Sequence, residues 1–349
     1  MISGKKIKNR LPDRNSPCFI IAEISANHNQ DLGLAISMIK KARECGVDAV
    51  KFQTYTPDTM TIDSDNKFFR IKHKKWGGQT LYQLYKKAYT PWNWFKKLKK
   101  AADDVGLIFF ATAFDKTSVD FLEDLGVPFH KIASFELVDL PLIEYAAKTK
   151  KPMIMSTGMA TIPEIRDAVN TAKKYGVRDV TLLKCVSSYP ASPEDMNLNT
   201  IRDMKKRFNC RIGLSDHTLG IAASIAAVSL GAKIIEKHFI LSRKMKTPDS
   251  FFSIEPNELK LLVENVRMVE AVLGKIHYGL TGDEEKSKIF RRSLFSVKDI
   301  KRGELFTEEN VRSIRPGHGL KPKYLEKILK KPASCKIKRG TPIRPELVQ

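Results

Sequence analysis

Acidic residues are scarce in this chain: 39 Asp and Glu stand against 61 Lys and Arg, a formal net charge of +22 over 349 residues. Cysteine is scarcer still. Cys18, Cys45, Cys185, Cys210 and Cys335 are odd in number and widely scattered. That excludes a disulfide framework and predicts free thiols in a reducing compartment. No apolar run approaches a membrane span, and the opening Met1-Ile-Ser-Gly-Lys-Lys6 has no signal-like apolar core. A cytoplasmic protein with no membrane partner is expected. No Gly-rich dinucleotide turn follows the first strand-like run, which weighs against an open doubly wound sheet. Internal repeats and low-complexity tracts are missing too.

What is present begins with alternation. Strand-like runs at 18–23, 49–53, 108–112, 130–132, 153–156, 180–184, 211–214 and 234–238 each precede an amphipathic or helix-like segment. Helices are predicted at 32–45, 92–104, 118–125, 140–149, 162–175, 199–208, 219–230 and 256–273. Thr161-Ile-Pro-Glu164 carries a helix start, with a capping threonine and a first-turn proline. Strict alternation of this kind predicts an α/β chain with a closed (β/α)8 TIM barrel over 1–275. A polar linker, 276–290, contains Asp283-Glu-Glu-Lys-Ser-Lys288 and leads to a small domain, 291–349. The segment 56–90 is too long for an ordinary βα loop. Its aromatics, Phe68, Phe69, Trp76, Tyr82 and Tyr85, are expected mostly to pack as a cover, with some shaping a pocket.

Barrel chemistry sits at the carboxyl ends of strands, and here those ends are polar. They carry Glu23, then Lys51 and Gln53, Thr112, Lys131 with Ser134, and Ser156-Thr-Gly158. Ser187-Ser-Tyr189, Ser215-Asp-His217 and Glu236-Lys-His238 complete the set. Any one of these reads as a solvated loop residue; eight together read as a site. Lys51 and Lys131 interrupt apolar strands, where a lysine needs an anion to offset its desolvation. His217 and His238 end neighbouring strands twenty-one residues apart, so both imidazoles fall at one edge of a βαβ unit. Such a pair can hold a divalent cation that polarises a carbonyl. The small hydroxyls and amides around Ser156 suit phosphate oxygens.

These motifs resemble the sialic acid synthase family. The resemblance rests on Ala22-Glu23-Ile-Ser-Ala-Asn27-His28, Val50-Lys51-Phe-Gln53-Thr54, Lys131-Ile-Ala-Ser134-Phe-Glu136, Ser156-Thr-Gly-Met159, Leu214-Ser-Asp-His217-Thr218 and Glu236-Lys-His238-Phe239. Arg291-Arg-Ser-Leu-Phe295 and Asn310-Val-Arg-Ser-Ile-Arg315-Pro-Gly317 resemble the antifreeze-like (SAF) domain that follows the barrel in that family. Tyr55-Thr-Pro-Asp-Thr-Met-Thr61, Leu81-Tyr-Gln-Leu-Tyr85 and Thr90-Pro-Trp92 look most like its pseudaminic acid branch. Ala113 and Ser187 depart from the family, which has proline at the first position and, in the neuraminate branch, asparagine at the second.

The resemblance implies condensation of phosphoenolpyruvate with an aldehyde-form amino sugar, giving a nine-carbon 2-keto acid and phosphate. It assigns Lys51, Thr112, Lys131, Ser134, Ser156, Tyr189 and Ser215 to phosphoenolpyruvate, and Gln53, Glu136 and Asp249 to the sugar. His217 and His238 become ligands of Mn²⁺ or Mg²⁺, and Glu23 acts beside them. Arg315 is implied to reach a partner's barrel in a domain-swapped homodimer. Two other classes stay open on the residues alone. A Schiff-base aldolase could use Lys51 or Lys131. A nucleic-acid-binding protein could use the last sixty-four residues, which hold +12 of the charge. That stretch lacks aromatic interleaving, and its strand-and-turn pattern reads as a folded cover over a site for acidic substrates, so no nucleic-acid partner is expected.

Overall fold

Apolar runs such as Phe19-Ile-Ile-Ala in the first strand have nowhere to face but a core, and the chain closes them into a ring. The computed structural model describes residues 11, 16–72 and 76–349; the opening stretch read for a leader lies outside them. The chain forms two compact units, Met1–Gly274 and Lys275–Gln349. In the first, β1 (Phe19–Glu23), β2 (Ala49–Thr54), β3 (Ile108–Ala113), β4 (His130–Ile132), β5 (Met153–Ser156), β6 (Val180–Cys185), β7 (Arg211–Asp216) and β8 (Ile234–His238) make a closed parallel barrel. β1 pairs with β8 from Phe19↔Ile234 to Glu23↔His238, which closes the ring.

The outer layer is α1 (Leu32–Glu44), α4 (Phe95–Val105), α5 (Lys116–Leu125), α6 (Leu140–Ala147), α7 (Ile162–Lys174), α8 (Thr200–Phe208), α9 (Ala222–Ser229) and α10 (Pro256–Leu273). Between β2 and α4 lie α2 (Pro57–Met60) and α3 (Leu81–Ala88). Local chemistry starts the helices. Asp31 accepts from Leu34 N at the head of α1, and Thr161 and Glu164 form a capping box on α7 with proline in its first turn. Two predicted starts are late. Residues 92–94 form a 3-10 turn before α4, and α9 begins only after Gly220, whose φ of +71° is left-handed backbone that interrupts a helix. At the barrel's amino-terminal end, Arg267 on α10 donates to Cys18 O at 2.7 Å and pairs with Asp48 at 3.1 Å, fastening the last helix across β1 and β2.

The second unit has its own core of Leu294, Ile300, Phe306, Val311, Ile328, Ala333, Ile337 and Ile343. There β9 (Ser293–Ser296) pairs antiparallel with β10 (Val311–Ile314). Before it, α11 (Gly282–Ser287) and a 3-10 turn at Lys288–Phe290 occupy the stretch read as linker. Among the described residues all five cysteines are free thiols, with only Cys335 exposed, and no helix is long and apolar enough to cross a membrane.

One buried histidine ties the 56–90 segment to the barrel. His28 lies with its ring 6.4 Å from Phe52 and 5.7 Å from Trp94. Gln30 N donates to Nδ1 at 3.0 Å, so the ring proton is on Nε2 and is donated to Thr90 Oγ1 at 2.9 Å. Burial lowers this imidazole from 6.5 to about 4. Between those values the unfolded chain binds the proton and the folded chain does not. The stability His28 contributes is therefore complete above pH 6.5 and is lost as pH falls toward 4, about 3 kcal/mol at that limit. Thermal unfolding from pH 7 to pH 4 should show a steep fall that flattens in His28→Gln; parallel curves for the two proteins would refute this.

Candidate active site

The strands are parallel, so their carboxyl ends share one mouth, and the polar ends meet there. Lys51 on β2 is the hub. Its Nζ pairs with Glu23 of β1, donates to Thr112 Oγ1 on β3 at 3.0 Å and lies 3.7 Å from Glu236 Oε1 on β8. Lys131 on β4 donates to Ser156 Oγ on β5 at 2.7 Å and stands 4.0 Å from the same Glu236 oxygen. Ser215 on β7 donates to that oxygen at 3.3 Å. Glu236 thus links both lysines, a role missing from the sequence-based assignment. Its signal was there: it lies two residues before His238, and a period of two puts both on the inner face.

Two lysines and two carboxylates share a volume closed to water, and their environments push the carboxylates apart. Burial raises Glu23 to about 7 against the pull of Lys51. Burial also works to raise Glu236, but Lys131 and Lys51 outweigh it and hold Glu236 below the usual carboxylate range. Burial lowers Lys131; at Lys51 burial is outweighed by Glu23 and Glu236, and the ammonium is reinforced. Lys131 is the less compensated cation, and a bound anion would complete its surroundings. Beside it, Gly158 N donates to Ser134 Oγ at 3.1 Å. A Cβ on Gly158 would fall 2.2 Å from Ser187 Oγ and 2.8 Å from Ser134 Oγ, so glycine alone lets three polar groups crowd at this edge.

His217 and His238 face each other with ring centroids 5.4 Å apart. Gly213 permits the close approach of their strands, since a Cβ there would lie 2.4 Å from Ile234 O. His217 donates through Nδ1 to Val186 O at 2.8 Å, which leaves Nε2 as the ring nitrogen open to a ligand, and although burial opposes it, Cys185 and the Val186 carbonyl raise the His217 pKa. Burial and the neighbouring His217 drive the His238 pKa well below 6.5, keeping that ring a neutral donor. Its Nδ1 is buried without a hydrogen-bond partner, 3.7 Å from Asp249 Oδ2. Among the described residues no three His, Cys, Asp or Glu side chains cluster as metal ligands. The donor chemistry of two facing imidazoles fits a divalent cation, which His217 and His238 would hold. Cys185 lies 3.8 Å from His217 Nδ1, and although burial opposes it, His217 brings the thiol down to about 7. Nothing in the sequence patterns marked this thiol for the mouth.

Above these groups a cavity of about 380 Å³ opens. Gln53, Glu136, Tyr189, His238 and Asp249 line its polar side. Burial pushes Glu136 up to about 7, and its Oε2 has no partner. Tyr189 lies against His217 with ring centroids 4.4 Å apart, and burial raises its hydroxyl pKa. The apolar lining includes Met60, Ile71, Leu81, Leu84 and Tyr85 of the 56–90 segment, with Phe114, Phe135 and Phe252 from elsewhere in the barrel unit. Trp76 joins it, its Nε1 donating to Pro248 O at 2.9 Å. Of the aromatics singled out in that segment, Trp76 and Tyr85 therefore shape the pocket, while Phe68 is exposed and Tyr82 donates to Asp58 at the surface. Arg315, the remaining assigned residue, follows β10 in the second unit.

Residues 38–278 match the NeuB family, and residues 291–349 match the SAF domain. A pseudaminic acid synthase of Helicobacter pylori is 45% identical over 94% of this chain and 96% of its own. The pseudaminic acid synthase of Campylobacter jejuni is 44% identical over 93% and 95%. Among solved structures, the N-acetylneuraminic acid synthetase of Leptospira borgpetersenii, crystallised with citrate, superposes with a TM-score of 0.70 at 36% identity, over 78% of this chain and 90% of that one. With those matches and this arrangement of strand ends, the chain belongs to the NeuB family of sialic acid synthases, its barrel followed by a SAF domain.

Proposed function

We propose that the protein condenses phosphoenolpyruvate with a 2,4-diacetamido-2,4,6-trideoxy hexose of the altrose type, releasing pseudaminic acid and inorganic phosphate. The observation that carries the sugar is the cavity, lined on its apolar side by the 56–90 segment among others and on its polar side by Gln53, Glu136 and Asp249. A 6-deoxy methyl suits the first side and acetamido and hydroxyl groups the second. The pseudaminic acid synthases at 44–45% identity support the same product.

Lys51 and Lys131, with Thr112, Ser134, Ser156, Tyr189 and Ser215, bind the carboxylate and phosphate of phosphoenolpyruvate and hold its C3 against the aldehyde. That carbon forms the new bond, and the aldehyde oxygen takes up the electron pair. A divalent cation on His217 and His238, Mn²⁺ or Mg²⁺, supplies Lewis-acid stabilisation of that charge when bound. Water adds at C2 with Glu23 accepting its proton, a role suited to a carboxyl poised near 7. The resulting tetrahedral carbon expels phosphate, which carries off the proton of the new hydroxyl and leaves the keto group, while the proton held by Glu23 passes to the alkoxide. No nucleotide or redox cofactor enters this balance.

Phosphate release is measured with the altrose-type sugar, its legionaminate-series relative and N-acetylmannosamine. An apolar pocket rejects an added hydroxyl by roughly 100-fold in kcat/KM, and that preference is expected for the first sugar over N-acetylmannosamine; the legionaminate-series sugar carries the same methyl and differs in configuration. Preference for N-acetylmannosamine would overturn the product while leaving the condensation intact. Borohydride trapping of a pyruvate adduct on Lys51 or Lys131 would replace the mechanism by an aldolase.

The active assembly is a homodimer in which Arg315 of one subunit completes the partner's sugar site, its planar guanidinium forking onto an acetamido oxygen or carboxylate. Mixing inactive Arg315→Ala and His217→Ala proteins should restore activity, since the heterodimer pairs an intact barrel with an intact arginine. Random exchange gives about a quarter of the wild-type sites. No recovery after verified exchange would mean that each chain serves its own barrel.

A further inference from the structure

Behind the histidines, on the outer face of the barrel, lies a second charge pair that the proposed reaction does not use. Asp216 and Lys237 are the last register partners of β7 and β8, and each immediately precedes one of the histidines. The strand period sends residues 215, 217, 236 and 238 to the inner face and 216 and 237 to the outer one. There Lys237 Nζ meets Asp216 Oδ2 at 2.9 Å, with both side chains 0% exposed. Asp216 Oδ1 accepts from Thr218 N at 2.9 Å and from Thr218 Oγ1 at 2.7 Å, while Oδ2 also accepts from Ser224 of α9 at 2.6 Å. Lys237 Nζ donates in turn to Thr218 O at 2.6 Å.

The strand ladder stops at Asp216, so its regular hydrogen bonds do not reach His217. The residues on both sides of His217 are instead tied to Lys237, which is covalently next to His238. Stability is a poor reason for such a pair, because well-packed apolar side chains often replace a buried ion pair without loss. An apolar pair would, however, have no directed hold on the Thr218 amide, hydroxyl and carbonyl. We infer that Asp216 and Lys237 are positioning residues that set the separation of the His217 and His238 rings and thereby the affinity for the cation. This rests on the reading of those histidines as cation ligands.

The test is Mn²⁺ binding to metal-stripped protein, followed by the electron paramagnetic resonance signal of free Mn²⁺, without turnover. Wild type should bind and His217→Ala should not; a failure of either comparison removes the histidine reading itself. Lys237→Met keeps the bulk, loses the charge, and should weaken Mn²⁺ by roughly 10- to 100-fold, the usual effect of losing a partner behind a metal ligand. Arg211→Met is the control: it breaks the Arg211–Asp179 pair of 3.2 Å at the opposite end of β7 and should leave Mn²⁺ affinity unchanged. Saturating Mn²⁺ should also return most of kcat to Lys237→Met. If Lys237→Met does not fold, Asp216→Asn takes its place, since it keeps an oxygen for Thr218 and replaces the acceptor that faces Lys237 and Ser224 by an amide donor. Wild-type Mn²⁺ affinity in the folded variant, or an equal weakening in Arg211→Met, would overturn the inference.

Discussion

His217→Ala and His238→Ala should each lose about three orders of magnitude in kcat/KM. Exhaustive chelation should take the wild type down to the same level. The figure follows from the chemistry: a cation opposite a developing alkoxide is worth several kcal/mol, and about 4 kcal/mol corresponds to a thousandfold. Returning Mn²⁺ should revive the wild type and neither variant. Folding should suffer far less than turnover at His238, whose buried Nδ1 has no hydrogen-bond partner to lose, although its ring packs 4.7 Å from Phe252. The paired measurement is steady-state phosphate release with thermal unfolding on the same preparations. Full activity in a chelated His238→Ala protein would remove the cation from the mechanism.

Lys51→Met should be the most damaging single change to the barrel. It leaves Glu23 and Glu236 buried with Lys131, 4.0 Å from Glu236, as the remaining lysine beside them. Removing one partner of a buried ion pair costs roughly 3–5 kcal/mol, a fall in Tm on the order of 10 °C for a unit of this size. The loss should depend on pH with a definite sign. Glu23 already has its pKa raised to about 7, so its burial is tolerated when protonated and becomes costly as pH rises through that value. The Tm deficit of Lys51→Met should therefore be larger at pH 8 than at pH 6. Adding Glu23→Gln should recover most of it at pH 8 without restoring turnover. A deficit that ignores both pH and the second substitution would show that the loss comes from packing rather than charge.

The order of apolar runs and helix signals was enough to specify eight strands, eight outer helices and a closed barrel, because each run had to bury and each connection had to cross in the same sense. It also placed polar groups at the strand ends and the two histidines on adjacent strands, since a period of two determines which residues share a face. The SAF unit was legible through Arg291-Arg-Ser-Leu-Phe295 and Asn310-Val-Arg-Ser-Ile-Arg315 rather than through any periodicity. What periodicity does not contain is which inward side chain meets which across the barrel. That depends on the stagger between strands on closure, and it is what sets Glu236 between Lys51 and Lys131, pushes Glu23 toward neutrality and joins Asp216 to Lys237 behind the histidines. The 56–90 segment was equally silent: its aromatics look alike in sequence, and only the fold back over the mouth turns Trp76 and Tyr85 into pocket wall while leaving Phe68 in solvent. Alternation along one strand is local and can be read residue by residue, whereas a contact between strands far apart in the chain exists only after the ring has closed.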